Sequence, residues 1–218
     1  MFPSLQNAVG TDSPAARGRA KTRVVTGAFN VQRSTLNAQV VDKTGFIRRV
    51  VLLTGDGKGK TTSALGMVLR AAGHSLRVCV IQFIKGRRDT GEARALRLLP
   101  GVELHVCGKG FVKESAGPRF EAHREAARAG LRLAEAKLRD DTYDMVVLDE
   151  VCGAVALGLL DADQARQAVE GAAGGKIVVL TGREACPALI EAADTVSRVE
   201  SVKHGMDSGL PACRGVEW

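Results

Sequence analysis

A doubly wound α/β domain, built on a mostly parallel sheet with helices on both faces, is predicted by three features of the sequence. Runs such as "RVVLL", "VCVIQF", "MVVL" and "IVVL" are continuously apolar, which marks strands buried on both faces. Stretches with helical spacing alternate with these runs over most of the chain. A glycine-rich turn, "TGDGKGKTTS" from Thr54 to Ser63, joins one such strand to a helix. Sheets of this kind bind ligands at the carboxyl ends of their strands, where this turn falls.

The elements follow in order. Residues 1–44, including "GTDSPAARGRAKTR", are small, polar and basic without lasting periodicity, and predict a flexible basic arm. The domain proper takes residues 45–218. From Phe46, "FIRRVVLLT" reads as the first strand and "TTSALGMVLRAAG" as a helix stopped at Gly73. "LRVCVIQFI" is a second strand, "EARALRLL" a short helix ending at Pro100-Gly101, and "VELHVC" a third strand. Pro118 opens a long helix. In it Ala127, Leu131, Ala134 and Leu138 recur at helical spacing, with Arg124, Arg128, Arg132 and Glu135 on the other faces. "DMVVLDE" is a strand ending in two carboxylates, and "DADQARQAVEG" a capped helix. "KIVVLTG", "PALIEAAD" and "TVSRVES" read as strand, helix and last strand, and "SVKHGMDSG" as a loop.

Composition narrows the function. The chain has 218 residues, 45% of them hydrophobic, enough for one sizeable core. No apolar run approaches the roughly 18 residues that a membrane span needs. The start "MFPSLQNAVG" has neither the basic lead nor the apolar core of a secretory signal. Five scattered cysteines (Cys79, Cys107, Cys152, Cys186 and Cys213) form no C-x-x-C pair. That argues against a disulfide framework or structural zinc and for a reducing cytoplasm. The net charge of +7 favours anionic partners, nucleic acid and nucleotides alike. With 4% aromatic residues and no basic-aromatic interleaving there is no base-stacking surface, and no nucleic-acid partner is expected.

The turn carries the strongest chemical signal. Three residues separate Gly55 from Gly59-Lys60-Thr61, one fewer than in the usual nucleotide-triphosphate loop. Glycines let successive N–H groups point at one anion, and the helix N-terminus adds partial positive charge. Lys58 and Lys60 supply full charges, and Thr61 or Thr62 a hydroxyl for Mg²⁺. The plain alternative is a strand-helix turn bearing surface lysines. The strand before and the helix after favour a phosphate cradle, hence a P-loop NTPase-like, RecA-like arrangement. Asp149 and Glu150 close a buried strand, where a carboxylate reaches the metal of such a site. "QFIKG" sets Lys85 at another strand end. "LTGR" does the same for Arg183, which suits either an anionic ligand or a turn cap. Spacing alone leaves His204 an ordinary surface histidine, His74 a helix-end charge and His123 a solvated side chain.

The stretch "TGDGKGKTTSALGMVLRAAGHSLRVCVIQFIKG" resembles the opening of the ATP:corrinoid adenosyltransferases of the phosphate-loop type. "TGE" at Thr90–Glu92, "VVLDE", "VLTGR", "VKH" and a closing "GVEW" extend the resemblance in order from Ile47 to Trp218. The resemblance implies that the Co(I) of a corrinoid attacks the 5′ carbon of ATP, with triphosphate expelled whole. ATP is then held reversed relative to kinases. It implies that Gly55, Asp56, Gly57, Lys58, Gly59, Lys60, Thr61 and Thr62 bind the triphosphate and that Arg70 reaches the nucleotide. Thr61, Asp149 and Glu150 fall on the Mg²⁺ side, and Lys60, Thr61 and Glu150 are the residues on which catalysis is expected to rest. Lys85, Glu92, Arg183, Lys203 and His204 are further site candidates.

On the corrinoid side the family's Gly-Phe-x-Trp segment corresponds to "GFVKES". This keeps Phe111 but has Lys113 in the tryptophan's place, and Gly153 stands where many relatives carry a bulkier residue. The implied partners are ATP, a reduced corrinoid, a flavoprotein-type electron donor and a second copy of the chain, with residues 1–44 as a cover for the active site. Two other readings stand beside this one. A P-loop NTPase or kinase would cleave at the γ-phosphate, and the short loop counts against it. An ATP or corrinoid sensor with weak transferase activity is favoured by Lys113.

Overall fold

Continuous apolar runs can be buried on both sides only if a layer of helices covers each face, and this is how the chain arranges them. The computed structural model describes residues 48–87 and 89–217. The arm expected over residues 1–44 lies outside them, as does Trp218 of the closing motif.

Six strands form one sheet in the order β3-β2-β4-β5-β1-β6, and every neighbouring pair is parallel. They are β1 (Arg49–Thr54), β2 (Val78–Gln82), β3 (Val102–Val106), β4 (Met145–Asp149), β5 (Ile177–Thr181) and β6 (Thr195–Arg198). The helices are α1 (Lys60–Gly73), α2 (Gly91–Leu96), α3 (Pro118–Arg139), α4 (Val151–Ala156), α5 (Ala162–Glu170) and α6 (Pro187–Ala192). None of them is long and apolar enough to cross a membrane.

Successive residues of a strand point to opposite faces, so one strand serves two cores. Val50, Leu52, Ile81, Val146, Leu148, Val178 and Leu180 pack with residues of α3, α4, α5 and α6. Leu53, Val78, Val80, Val147 and Val179 pack with α1 and α2. Each large side chain so buried contributes about 1.5–3 kcal/mol relative to exposure. The apolar stripe of α3 lies on its core face, with Ala127, Leu131, Ala134 and Leu138 buried as its spacing predicts. Asp161 caps α5 by accepting a hydrogen bond from Gln164 N at 2.9 Å, and Thr90 caps α2 in the same way through Ala93 N at 3.3 Å.

Two details go beyond the sequence reading. Helix α4 starts directly after the two carboxylates, with Glu150 in the left-handed region at φ 63°. It packs closely on the end of β5 because Gly182 has no side chain: a Cβ there would lie 2.6 Å from Gly153 N. Within the expected loop after β6, residues Gly205–Ser208 form a 3-10 turn.

Gly55 and Gly57 of the first βα turn are required by a neighbouring segment. A Cβ on Gly55, which sits at φ 101°, would come within 2.4 Å of Val199 O, and one on Gly57 within 2.5 Å of Glu200 O. Gly66 in α1 is the contrasting case, helical and with nothing within 4 Å of a built Cβ. Gly55→Ala is expected to destabilise the protein by about 1–3 kcal/mol, whereas Gly66→Ala should stabilise it by about 0.5–1 kcal/mol. Denaturant unfolding of the two variants beside the parent protein checks both signs.

Candidate phosphate and metal site

The carboxyl edge of the sheet collects the residues singled out by their chemistry. After β1 the chain curls through Gly55 to Gly59 and enters α1 with Gly59 as its N-cap at φ 125°. No side chain caps this end of the helix, which leaves its first-turn N–H groups available to an anion. Lys60 is 6% exposed, and its Nζ donates to Gly57 O at 2.8 Å, so the ammonium lies against the inside of its own loop. Burial in the first place, and Arg183 besides, lower its pKa, while Glu150 and Asp56 work the other way.

Beneath the loop, Asp149 ties four segments together. Its Oδ1 accepts hydrogen bonds from Thr61 and from Thr181, each at 2.8 Å, and its Oδ2 accepts one from Gln82 Nε2 at 3.0 Å. Lys85 Nζ stands 3.7 Å from the same Oδ2 and donates to Glu92 Oε1 at 2.9 Å. Thr181 also accepts from Glu150 N at 2.9 Å, which fixes the turn into α4. Asp149 is 1% exposed, so its charge depends on these donors.

Glu150 is placed differently. Among the described residues its carboxylate has no hydrogen-bond donor, and burial, reinforced by Asp149, pushes its pKa up. Gly153 gives it room, since a Cβ there would be 3.1 Å from Glu150 Oε2. The sequence reading placed Gly153 on the corrinoid side; its close contact is with this carboxylate. Thr61, Asp149 and Glu150 thus offer only oxygen donors, with Glu150 left without a hydrogen-bond donor although Lys60, Lys85 and Arg183 ease its charge. A hard divalent cation such as Mg²⁺ fits a set of this kind.

Above these groups lies a cleft of about 630 Å³. Asp56 to Thr62 of the loop form one side, with Lys85, Glu92, Glu150, Arg183 and His204 around it, and Phe111 stands at its wall. Phe111 is 89% exposed, unusual for an aromatic side chain. His204 Nδ1 accepts from Met206 N at 3.2 Å, so one ring nitrogen is occupied in holding the 3-10 turn. Arg70 lies in the last turn of α1, about 15 Å along the axis from Lys60 by helix rise, and is exposed outside the cleft lining. Lys113 and Lys203 are also exposed and do not line it.

Three participants escaped the sequence reading: Thr181, Gln82 and Glu217. The first two were in view in "VLTGR" and "QFIKG", but their roles depend on the neighbouring strand ends. Glu217 lines the cleft from the far end of the chain.

Cys79, Glu103 and His105 bring three ligand-type atoms within 4.8 Å of one another, away from this cleft lining. That group is already compensated internally. Lys137 donates to Glu103 Oε2 at 2.8 Å, and Tyr143 donates to the same oxygen. These bonds hold the Glu103 pKa down to about 2, and burial pushes the Cys79 thiol up to about 12. A carboxylate already paired with a lysine, beside a protonated thiol, makes a poor cation site.

Comparison with known proteins points in one direction. Residues 47–218 match the family described as ATP:corrinoid adenosyltransferase BtuR/CobO/CobP. The chain is 40% identical to a corrinoid adenosyltransferase of Pseudomonas aeruginosa over 182 residues, 83% of this chain and 87% of the relative. It is 38% identical to that of Escherichia coli (strain K12) over 181 residues, 83% and 89% of the two chains. A corrinoid adenosyltransferase of a Sinorhizobium species aligns at 34% identity over 220 residues, 99% of this chain and all of the relative (100%).

The raised pKa of Glu150 gives a test with a definite sign. The folded protein holds the Glu150 proton more tightly than the unfolded chain does. The associated stability is present below the ordinary glutamate range and is lost as pH rises through the folded-state value. Glu150→Gln should therefore raise Tm at pH 7 in the absence of nucleotide and metal. The gain should vanish near about pH 4, as measured by thermal unfolding at the two pH values.

Proposed function

Because the chain belongs to the ATP:corrinoid adenosyltransferase family, we propose that its phosphate loop grips the triphosphate of ATP as a leaving group while the Co(I) of a bound corrinoid takes the adenosyl carbon. The observation that carries this reading is the loop itself. It is one residue short, closed by Lys60 on Gly57 O, open at the α1 N-terminus, and tied through Thr61 to a buried carboxylate.

The reaction forms one bond and breaks one. The cobalt electron pair makes the bond to C5′, the C5′–O bond breaks, and its electrons leave with the triphosphate, so that cobalt ends formally as Co(III). Co(I) is itself the nucleophile, and no protein base has to activate it. The protein's task is to align cobalt, carbon and leaving oxygen and to stabilise charge on the departing polyphosphate. Lys58, Lys60 and the first N–H groups of α1 do the latter, with Arg183 and Lys85 at the cleft wall. Thr61, Asp149 and Glu150 would hold Mg²⁺, which would offset part of the triphosphate charge. Arg70, exposed in the last turn of α1, serves the nucleotide from that helix.

Phe111 gives the corrin a flat apolar surface at the cleft wall and disfavours an axial ligand on Co(II), which makes reduction to Co(I) easier. Lys113, where relatives have tryptophan, is exposed and does not line the cleft, whereas Phe111 does. Lys203 and His204 serve the site from the segment after β6, where His204 lines the cleft and holds the 3-10 turn. A flavoprotein-type donor in the cytoplasm supplies the electron. The working unit is a homodimer with residues 1–44 as the active-site cover.

Incubation with ATP, Mg²⁺ and chemically reduced corrinoid without oxygen should yield inorganic triphosphate and a light-sensitive alkylcobalt product. Orthophosphate or diphosphate without adenosylation would refute the assignment. Lys60→Ala should lower transfer by at least about a hundredfold even with Co(I) supplied, the scale seen when a transition-state charge donor is removed. Phe111→Ala should act mainly on the assay that starts from Co(II), and equal loss in both assays would remove Phe111 from that role.

A further inference from the structure

The closing "GVEW" motif has no part in the chemistry described so far, yet its first three residues form part of the wall of the same cleft. Gly215, Val216 and Glu217 line it beside the phosphate loop. Glu217 Oε1 lies 3.4 Å from Lys58 Nζ, and both side chains are partly exposed. The other oxygen, Oε2, accepts from Cys213 N at 2.7 Å, while Glu217 N donates to Cys213 O at 2.9 Å. The carboxylate therefore sits on a closed turn of its own and faces the loop in a set position. A fixed negative charge in a cleft built for a polyanion is costly unless it has a task there.

We propose that Glu217 is a built-in competitor of triphosphate for Lys58, holding the lysine when the loop is empty and helping to displace the triphosphate after transfer. The inference rests on the reading of the loop as a triphosphate cradle. Lys58 cannot pair fully with both anions, and Glu217 repels any phosphate that takes its place. ATP is held against this competition by its adenosyl end as well. Once adenosyl has moved to cobalt, the triphosphate keeps only its own charge contacts, and the same competition weighs more heavily on it. Glu217 is thus a positioning residue that sets how readily the product leaves.

The test uses the full-length protein and inorganic triphosphate with Mg²⁺, titrated calorimetrically. Glu217→Gln should bind triphosphate about two- to fivefold more tightly than the parent, the range for a partly exposed ion pair. The gain should shrink as salt is raised. In a Lys58→Ala background the Glu217→Gln change should have a clearly smaller effect, because the pair is then already broken. Unchanged or weaker triphosphate binding by Glu217→Gln would overturn the proposal, as would an undiminished gain without Lys58. If the parent protein does not bind triphosphate at all, the cradle reading itself falls.

Discussion

The Asp149 carboxylate is the interaction on which the site depends. It is 1% exposed, and its donors come from the start of α1 and the ends of β5 and β2. A buried charge of this kind is tolerable only while every donor is in place. The parallel sheet meets that demand by bringing several strand ends to one edge. β4 pairs with both β2 and β5, so Gln82 and Thr181 flank Asp149 as a consequence of strand order. The hydroxyl of Thr61 is fixed by the same carboxylate, which couples the start of the phosphate loop's helix to the middle of the sheet.

Around this centre the charges are unevenly compensated. Asp149 is satisfied, whereas Glu150, one residue on, is half-buried without a donor among the described residues and is pushed toward its neutral form. Lys60 is buried and destabilised as a cation for the complementary reason. A negative group and a positive group stand close enough to ease each other's charge, but burial outweighs that in both. A metal ion and a polyphosphate arriving together would offset both. That arrangement suits a protein whose reaction is the expulsion of a polyanion by a nucleophile brought from outside.

The C-terminal segment is the least conspicuous part of the assembly and among the most involved. β6 is an exposed edge strand paired with β1 alone, and the chain beyond it lies against the glycines of the loop. Gly57 N donates to Val199 O at 2.8 Å, so one loop N–H is already committed to this segment. His204 and Glu217 follow from the same stretch. The loop's shape is therefore set from two sides: by its own short spacing and by the backbone beside it.

Much of this was legible in the sequence. The apolar runs specified buried parallel strands because burial on both faces leaves no place for alternation, and Gly55 to Thr62 announced a phosphate loop because few other uses demand those residues between strand and helix. Asp149 and Glu150 could be read as a pair from their place at a strand end. Their division of labour could not, because it depends on which hydroxyls and amides stand within 3 Å of one and not of the other. The closeness of Gly153 to Glu150, the roles of Thr181 and Gln82, and the meeting of Glu217 with Lys58 were equally invisible. Local sequence determined the elements and the chemistry each could offer. Only the tertiary structure decided which groups share one cleft, because contacts between residues as distant as Lys58 and Glu217 are set by strand order and packing, on which neither stretch of sequence carries information by itself.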